Sequence, residues 1–203
     1  SALPTLTDDG TTVDGYTQPG AARATGTTPA VLKIEIDGTH AGATNGLRLN
    51  SSNNSIGGLV INRFSQNGVS ISGGSATGNT VSGNYIGTDA SGTADLGNGY
   101  SGIAIRGAAH DNTIGGDTPG ERNVISGNGN AGVWIYDSGT LNNTISGNYI
   151  GTDANGTAAL SNTGDGVAIG GGAQNNTVGP GNVIAHNDDG VEVYESGTIG
   201  NVI

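Results

Sequence analysis

The sequence predicts an all-β solenoid of roughly seven stacked coils, in which each coil carries three short parallel strands. Three observations lead to this prediction. The segment GNYIGTD at residues 83–89 returns at residues 147–153, 64 positions later. Within that period, a glycine followed by an apolar-x-apolar triplet recurs at intervals of 22 to 34 residues. Only 33% of the residues are hydrophobic, which suits the thin aliphatic core of a solenoid.

The glycine-led triplet is the predicted first strand of each coil. It follows Gly46, Gly68, Gly102, Gly132, Gly166 and Gly190. Side chains alternate across a strand, and coils stack about 4.8 Å apart, so one apolar position per triplet forms an inward column. That column contains Leu49, Ile71, Ile105, Ile135, Ile169 and Val193.

The second and third strands are Asn-Ser/Thr-Ile/Val and Asn-Tyr/Val-Ile segments, rich in β-branched residues and bounded by glycine, serine and asparagine. Their inward columns are predicted to be Ile56, Val81, Ile114, Ile145, Val178 and Ile203, and Ile61, Ile86, Ile125, Ile150 and Ile184. The asparagines that head these strands align as well. We therefore expect inward asparagine ladders whose amides hydrogen-bond along the solenoid axis.

Alternate coils are lengthened by insertions at residues 87–98 and 151–162, which are predicted to form loops along one edge. Asp89 and Asp153 begin these loops, and each is followed two residues later by an oxygen-bearing side chain, as in a Ca²⁺ loop. However, Ala159 replaces Asp95 in the second copy, and no bidentate glutamate follows. The pattern favours turns in which aspartate caps backbone amides, with Ca²⁺ binding as the alternative.

These motifs resemble the right-handed parallel β-helix repeats of the pectate-lyase-like superfamily, especially an extracellular bacterial repeat containing GNYIGTD, NTIGG and NVISGN. The resemblance covers residues 46–203. Residues 1–45 match more loosely, through 13–16 and 34–38, and are interpreted as degenerate N-terminal coils. The resemblance implies one domain over residues 1–203, folded as a single-stranded right-handed parallel β-helix. It implies little about activity, because this fold carries lyases, hydrolases, epimerases, adhesins and phage spikes.

The last predicted coil stops partway round a turn at Ile203. Because solenoids normally end in a polar cap, we expect either a fragment of a longer solenoid or an open end that meets another chain. End-to-end or lateral self-association is therefore one expected kind of partnership.

Composition narrows the remaining classes of function. The net charge is −11 with Lys33 as the single lysine, which argues against nucleic acid and anionic membrane surfaces. No apolar run reaches membrane-spanning length, so membrane insertion is not expected. The chain has no cysteine, which excludes disulfides and cysteine metal sites. We expect an extracellular or cell-surface location and no required cofactor, with Ca²⁺ as a candidate ion.

The outward face of the first strands carries the candidate ligand site. Trp134, the only tryptophan, lies one coil away from the small residues Ala168 and Gly170, which predicts a shallow groove between aromatic side chains. Exposed rings beside carboxylates and arginine suit a sugar, with polysaccharide or a cell-surface glycan as the partner. The alternative is that Trp134 is covered or is merely a surface aromatic. The candidate ligand-binding residues are Trp134, Tyr136, Arg106, Tyr194, Glu192 and Glu195.

Fewer residues on this face support catalysis than support ligand binding. Glycoside hydrolysis needs two carboxylates across a cleft, and the weak candidates on this face are Glu192 and Asp137, with Arg106 as a candidate base. The resemblance implies that a lyase would pair such a base with a Ca²⁺-binding carboxylate cluster, which Arg106 lacks in register. The Gly-His-Gly and Arg-Ile-Lys motifs of polygalacturonases are also missing.

Two further patterns give minor hypotheses. Asp165 and Asp189 precede first-strand glycines on successive coils, about 5 Å apart when stacked, and Asp188 is adjacent. This set is a candidate Ca²⁺ site, with solvated turns as the favoured alternative.

An outward column on the second strands could bind ice or simply suit β-structure. Its members are Ser55, Thr80, Thr113, Thr144 and Thr177.

Taken together, the sequence predicts a secreted or cell-surface module for polysaccharide binding, adhesion or support as a stalk. The alternative is a polysaccharide lyase or glycoside hydrolase that uses the first-strand face. The minor alternative is ice binding through the threonine column.

Overall fold

The chain winds as a parallel β-helix. In the computed structural model, which describes residues 2–26 and 28–203, nineteen short strands form three parallel sheets of seven, six and six strands. Each coil contributes one strand to each sheet in turn, and the seventh coil is partial. The described residues contain no α-helix and two 3-10 turns, Gly15–Thr17 and Pro119–Glu121. The predicted fold class and the number of coils are confirmed.

The first sheet contains β1 (Thr5–Leu6), β4 (Leu47–Leu49), β7 (Val69–Ser72), β10 (Ile103–Arg106), β13 (Val133–Tyr136), β16 (Val167–Ile169) and β19 (Val191–Val193). The second contains β2 (Thr12–Asp14), β5 (Ser55–Gly57), β8 (Thr80–Ser82), β11 (Thr113–Gly115), β14 (Thr144–Ser146) and β17 (Thr177–Val178). The third contains β3 (Ile34–Asp37), β6 (Leu59–Asn62), β9 (Tyr85–Ile86), β12 (Val124–Ile125), β15 (Tyr149–Ile150) and β18 (Val183–Ile184).

The predicted aliphatic columns form the core. In the first sheet, Ile105 pairs in register with Ile71 on one side and Ile135 on the other, and all three are fully buried. The columns lose their cover at the C-terminal end, where Val193 is 45% exposed and Ile203 is 66% exposed. Burial of stacked aliphatic side chains is therefore the main stabilising contribution, and it is greatest in the central coils.

The predicted asparagine ladders are also present inside the helix. The side-chain oxygen of Asn112 accepts from both the backbone N–H and the Nδ2 of Asn79, at 3.0 and 2.8 Å. The same arrangement continues along Asn54, Asn79, Asn112, Asn143, Asn176 and Asn201, and along Asn84, Asn123, Asn148 and Asn182. A further ladder, which was not predicted, precedes the first strands and runs along Asn98, Asn128, Asn162 and Asn187.

The N-terminal region forms one coil rather than several. Strands β1, β2 and β3 pair with β4, β5 and β6, so both loosely matching segments belong to the same turn of the helix. Between them, the chain leaves the solenoid and crosses the outside of the third sheet. There Leu32 is buried against Val60 and Tyr85, and the Tyr85 hydroxyl donates to the Ala30 carbonyl at 3.1 Å.

The two inserted loops stack along one edge, as predicted. The Ala154 N–H of the second loop donates to the Gly92 carbonyl of the first at 2.9 Å. Each loop also packs against the tyrosine of the third strand that precedes it. A Cβ added at Gly92 would lie 3.0 Å from the Tyr85 ring, and one added at Gly156 would lie 2.7 Å from the Tyr149 ring.

Candidate functional site

Three aromatic side chains form a cluster on the outer face of the first sheet. Trp134 and Tyr136 project from the same side of β13, and their ring centroids are 4.9 Å apart with planes 24° from parallel. Tyr194, which follows β19, lies 6.4 Å from Tyr136 by centroid. Its hydroxyl accepts a hydrogen bond from Trp134 Nε1 at 3.1 Å. The cluster thus spans three coils, from β13 across β16 to the residue after β19, and satisfies the indole donor.

The predicted groove over Ala168 and Gly170 is occupied by the aromatic rings themselves. A Cβ added at Gly170 would collide with the Tyr194 ring, and one at Gly171 would lie 2.8 Å from the Tyr136 ring. The small residues therefore make room for side chains of neighbouring coils. The prediction of an open groove at this position is wrong, because the pattern of residue sizes does not fix where a tyrosine ring turns.

Glu195 holds the cluster at its outer edge. The Tyr136 hydroxyl donates to its carboxylate at 3.2 Å, and the Gly171 N–H donates to its Oε2 at 3.0 Å. The negative charge of Glu195 and this hydrogen bond raise the pKa of Tyr136. Glu195 therefore has a structural partner in the cluster.

An open cleft lies on the other side of Trp134, toward the N-terminus. It has a volume of about 330 Å³. We call it the Trp134 cleft, and its lining residues are Gln66, Asn67, Tyr100, Ser101, Arg106, Asn130 and Trp134. Two predicted residues, Arg106 and Trp134, thus share one site. The rest of the lining was not predicted.

The unpredicted lining comes from the turn that precedes each first strand. Gln66, Tyr100 and Asn130 each stand two residues before a strand-leading glycine and stack in register. The Tyr100 N–H donates to the Gln66 carbonyl at 3.1 Å, and the Asn130 N–H donates to the Tyr100 carbonyl at 3.2 Å. The constant spacing of two residues between these side chains and the following glycine is the sequence pattern from which this part of the lining could have been predicted.

The cleft combines aromatic, amide and cationic groups. Tyr100 is 57% exposed, and Trp134 is half-buried on the neighbouring coil. The Arg106 side chain is exposed and forms no ion pair with any residue in the described part of the chain. None of the seven lining residues carries a carboxyl group. Such a surface offers ring faces for C–H contacts and polar donors for hydroxyl or acidic groups.

The other candidate catalytic residues do not line this cleft. The Asp137 carboxylate accepts the Gly107 N–H at 3.0 Å, which makes it a turn-capping group. Glu192 is exposed on β19, beyond the aromatic cluster. Partial desolvation, followed by the charges of Asp165 and Asp189, raises the pKa of Glu192. The structure therefore places Glu192 three strands away from Arg106 in the first sheet. Asp137 lies beside Arg106, but it caps the Gly107 N–H and forms no ion pair with Arg106 in the described part of the chain.

The candidate Ca²⁺ residues do not form a recognisable metal centre. Over residues 2–26 and 28–203, no three histidine, cysteine, aspartate or glutamate side chains are arranged to hold a metal ion, and this includes Asp165, Asp188 and Asp189. In the loops, the Asp89 carboxylate accepts from Ser91 Oγ and from the amides of Thr93 and Ala94. Asp153 does the same with Asn155, Thr157 and Ala158. Both loop aspartates are thus turn-capping residues.

The threonines on the outer face of the second sheet form a single row in register along the solenoid axis. Thr80, Thr113, Thr144 and Thr177 pair side by side and are half-buried. Two residues further along, the outward positions are filled by Ser82, Gly115, Ser146 and Gly179. The column therefore has no second row of threonines beside it.

Comparison with known proteins gives no assignment. No protein-family model matches the chain, and no curated protein or solved structure matches it significantly. The resemblance to pectate-lyase-like repeats therefore rests on the motifs quoted above. Within the described residues, no helix is both long and apolar enough to cross a membrane.

Proposed function

We propose that this chain is a secreted or cell-surface β-solenoid module that binds polysaccharide through the Trp134 cleft. Adhesion and support as a stalk are roles that such a module serves when it is part of an extracellular assembly. The observation that carries the proposal is the cleft itself, where Tyr100 and Trp134 face a space of about 330 Å³ beside Arg106, which has no ion-pair partner among the described residues.

The lining chemistry supports carbohydrate as the ligand. Sugar rings present C–H faces that pack on aromatic rings, and their hydroxyls need donors and acceptors at the rim. The side-chain amides of Gln66, Asn67 and Asn130 supply both kinds of group. The volume lies at the lower end of the range for small-molecule sites, which suits a short stretch of a chain rather than a large ligand.

The rigid backbone supports binding without large rearrangement. Arg106 and Trp134 come from adjacent paired strands, and Tyr100 and Asn130 come from stacked turns with hydrogen-bonded backbones. Because these positions are fixed by the solenoid, little conformational entropy is lost when a ligand contacts them. Hydrolysis by two carboxylates has less support, because the cleft lining contains none.

Binding is tested on a glycan array, followed by calorimetry with each glycan that responds. We expect Trp134→Ala and Tyr100→Ala each to weaken binding by roughly tenfold or more, since each removes one ring face. Lys33→Ala serves as the control because it removes an exposed positive charge on the N-terminal coil, outside the cleft. It should leave affinity unchanged.

Two results would contradict the proposal. One is the absence of glycan binding by the unmodified protein, with and without added Ca²⁺. The other is glycan binding that persists at full affinity in both ring variants. Release of reducing ends or unsaturated uronate products would instead favour the enzymatic alternative.

A further inference from the structure

A second cavity lies at a corner of the solenoid, between the second and third sheets. Residues 116–123 join β11 to β12 there, whereas residues 179–182 make the corresponding connection two coils later. The longer corner includes the 3-10 turn Pro119–Glu121, and the Glu121 carbonyl accepts the N–H of Gly83 on the preceding coil at 2.9 Å. Beside it lies an open cavity of about 280 Å³, lined by Gly116, Asp117, Thr118, Pro119, Arg122, Gly147, Pro180 and Gly181.

Arg122 is fixed in this cavity by an aromatic ring. Its guanidinium carbon lies 4.1 Å from the ring centroid of Tyr149, in a cation–π contact. Its Nε is buried and has no hydrogen-bond acceptor among the residues that the structure describes. Because Nε is shielded from solvent, the terminal nitrogens of the guanidinium are the donors that a ligand in the cavity can reach.

The charge of Arg122 is not offset by a protein carboxylate. In the described ranges it forms no ion pair, whereas Arg63 contacts both Glu35 and Asp37 within 3.1 Å. Burial raises the pKa of the neighbouring Tyr85 to about 12, so that phenol is neutral near pH 7. An unpaired guanidinium is therefore retained in a cavity of a protein whose net charge is −11.

We propose that this corner cavity binds the oxyanion of a small hydroxylated molecule, with Arg122 as the residue that recognises the anion. The guanidinium presents planar donors that match a carboxylate, sulfate or phosphate group. Asp117 lines the same cavity outside ion-pair distance of Arg122, and it is placed to accept from a hydroxyl of the ligand. This site is separate from the Trp134 cleft and does not depend on its function.

The test is a titration of the ¹⁵N-labelled protein, at constant ionic strength, with inorganic sulfate, inorganic phosphate or glucuronate. We expect saturable shifts of the amide signals of Gly116, Gly147 and Gly181, with a Kd on the order of 1 mM. A response to all three probes would support recognition of the bare oxyanion. A response to glucuronate alone would support recognition of the anion together with its hydroxyls. Absence of saturable shifts with every probe would overturn the proposal.

Variants separate recognition from a structural role. Arg122→Gln should weaken binding by at least roughly tenfold, because it removes the charge-assisted donors. Arg122→Lys keeps the charge but loses the planar fork, so its affinity should be intermediate. Lys33→Gln is the control, since it removes an exposed positive charge from the N-terminal coil, outside the corner cavity. Unchanged binding in Arg122→Gln would overturn the proposal even if that variant is less stable.

Discussion

At the scale of single residues, the interior asparagines are the most demanding polar groups in the protein. Asn112 is 1% exposed, and both its side-chain oxygen and its Nδ2 are hydrogen-bonded. Its oxygen accepts twice from Asn79, and its Nδ2 donates to the Ala76 carbonyl and to Asn143. Such a network stabilises only when it is complete, because each unpaired buried group is costly.

Asn112→Ala should therefore destabilise the protein by roughly 3 kcal/mol, since it leaves several buried groups of the ladder without partners. The measurement is the free energy of unfolding from chemical denaturation. Asn155→Ala is the control, because Asn155 is exposed and its side chain donates to Asp153 alone among the residues that the structure describes. Equal losses for the two variants would contradict the view that the ladder contributes more than ordinary surface hydrogen bonds.

Residue identity predicted much of this interior but less of the surface. The columns and two of the ladders could be predicted because identical residues recur at each coil, so one physical argument covers every copy. The filled groove could not be predicted, because the direction of the Tyr194 ring depends on contacts with Trp134 and Gly170 on other coils.

At the scale of elements, the inserted loops are ordered by their aspartates. Asp153 is 7% exposed. Burial alone would raise its pKa, but hydrogen bonds from Asn155 and from the amides of Thr157 and Ala158 outweigh burial and lower it. The loop is thus a turn whose geometry depends on an ionised carboxylate.

Asp153→Ala should lower stability by about 1 kcal/mol at pH 7. Because the folded-state pKa is depressed, this contribution is present above the unfolded pKa of about 4 and is lost as pH falls through the folded value. The difference in Tm between the variant and the unmodified protein should therefore shrink at acidic pH. Asp8→Ala is the control, since Asp8 is exposed and its carboxylate makes no hydrogen bond within the described residues. A Tm difference that stays constant below pH 4 would argue against an ionised cap.

Elements that occur once were the ones that sequence reasoning missed. The segment between β2 and β3 that crosses the third sheet has no second copy from which a register could be inferred, and neither has the long corner at residues 116–123. Their positions depend on long-range contacts, such as those of Leu32 with Val60 and of Arg122 with Tyr149. Both candidate sites draw on irregular segments. The Trp134 cleft takes Tyr100 from the turn that follows the insertion at residues 87–98, and the corner cavity takes Arg122 from the long corner.

At the scale of the whole molecule, stability is distributed along the axis. Each coil contacts mainly its two neighbours, so the protein behaves as a stack of linked units rather than as one globular core. Ile135 in the centre is fully buried between Ile105 and Ile169, whereas Val193 in the last strand of the first sheet is 45% exposed.

Amide hydrogen exchange should therefore follow a gradient. We expect the amides of β10 and β13 to exchange more slowly than those of β19 by on the order of a hundredfold, because opening of the terminal coil breaks contacts on one side only. Ile135→Ala should reduce protection throughout the central coils, since the cavity it leaves is enclosed. The matched truncation Val193→Ala should affect only the last coil. Uniform protection from β4 to β19 would instead show that the coils unfold as a single cooperative unit, with interfaces between coils stronger than the nearest-neighbour argument allows.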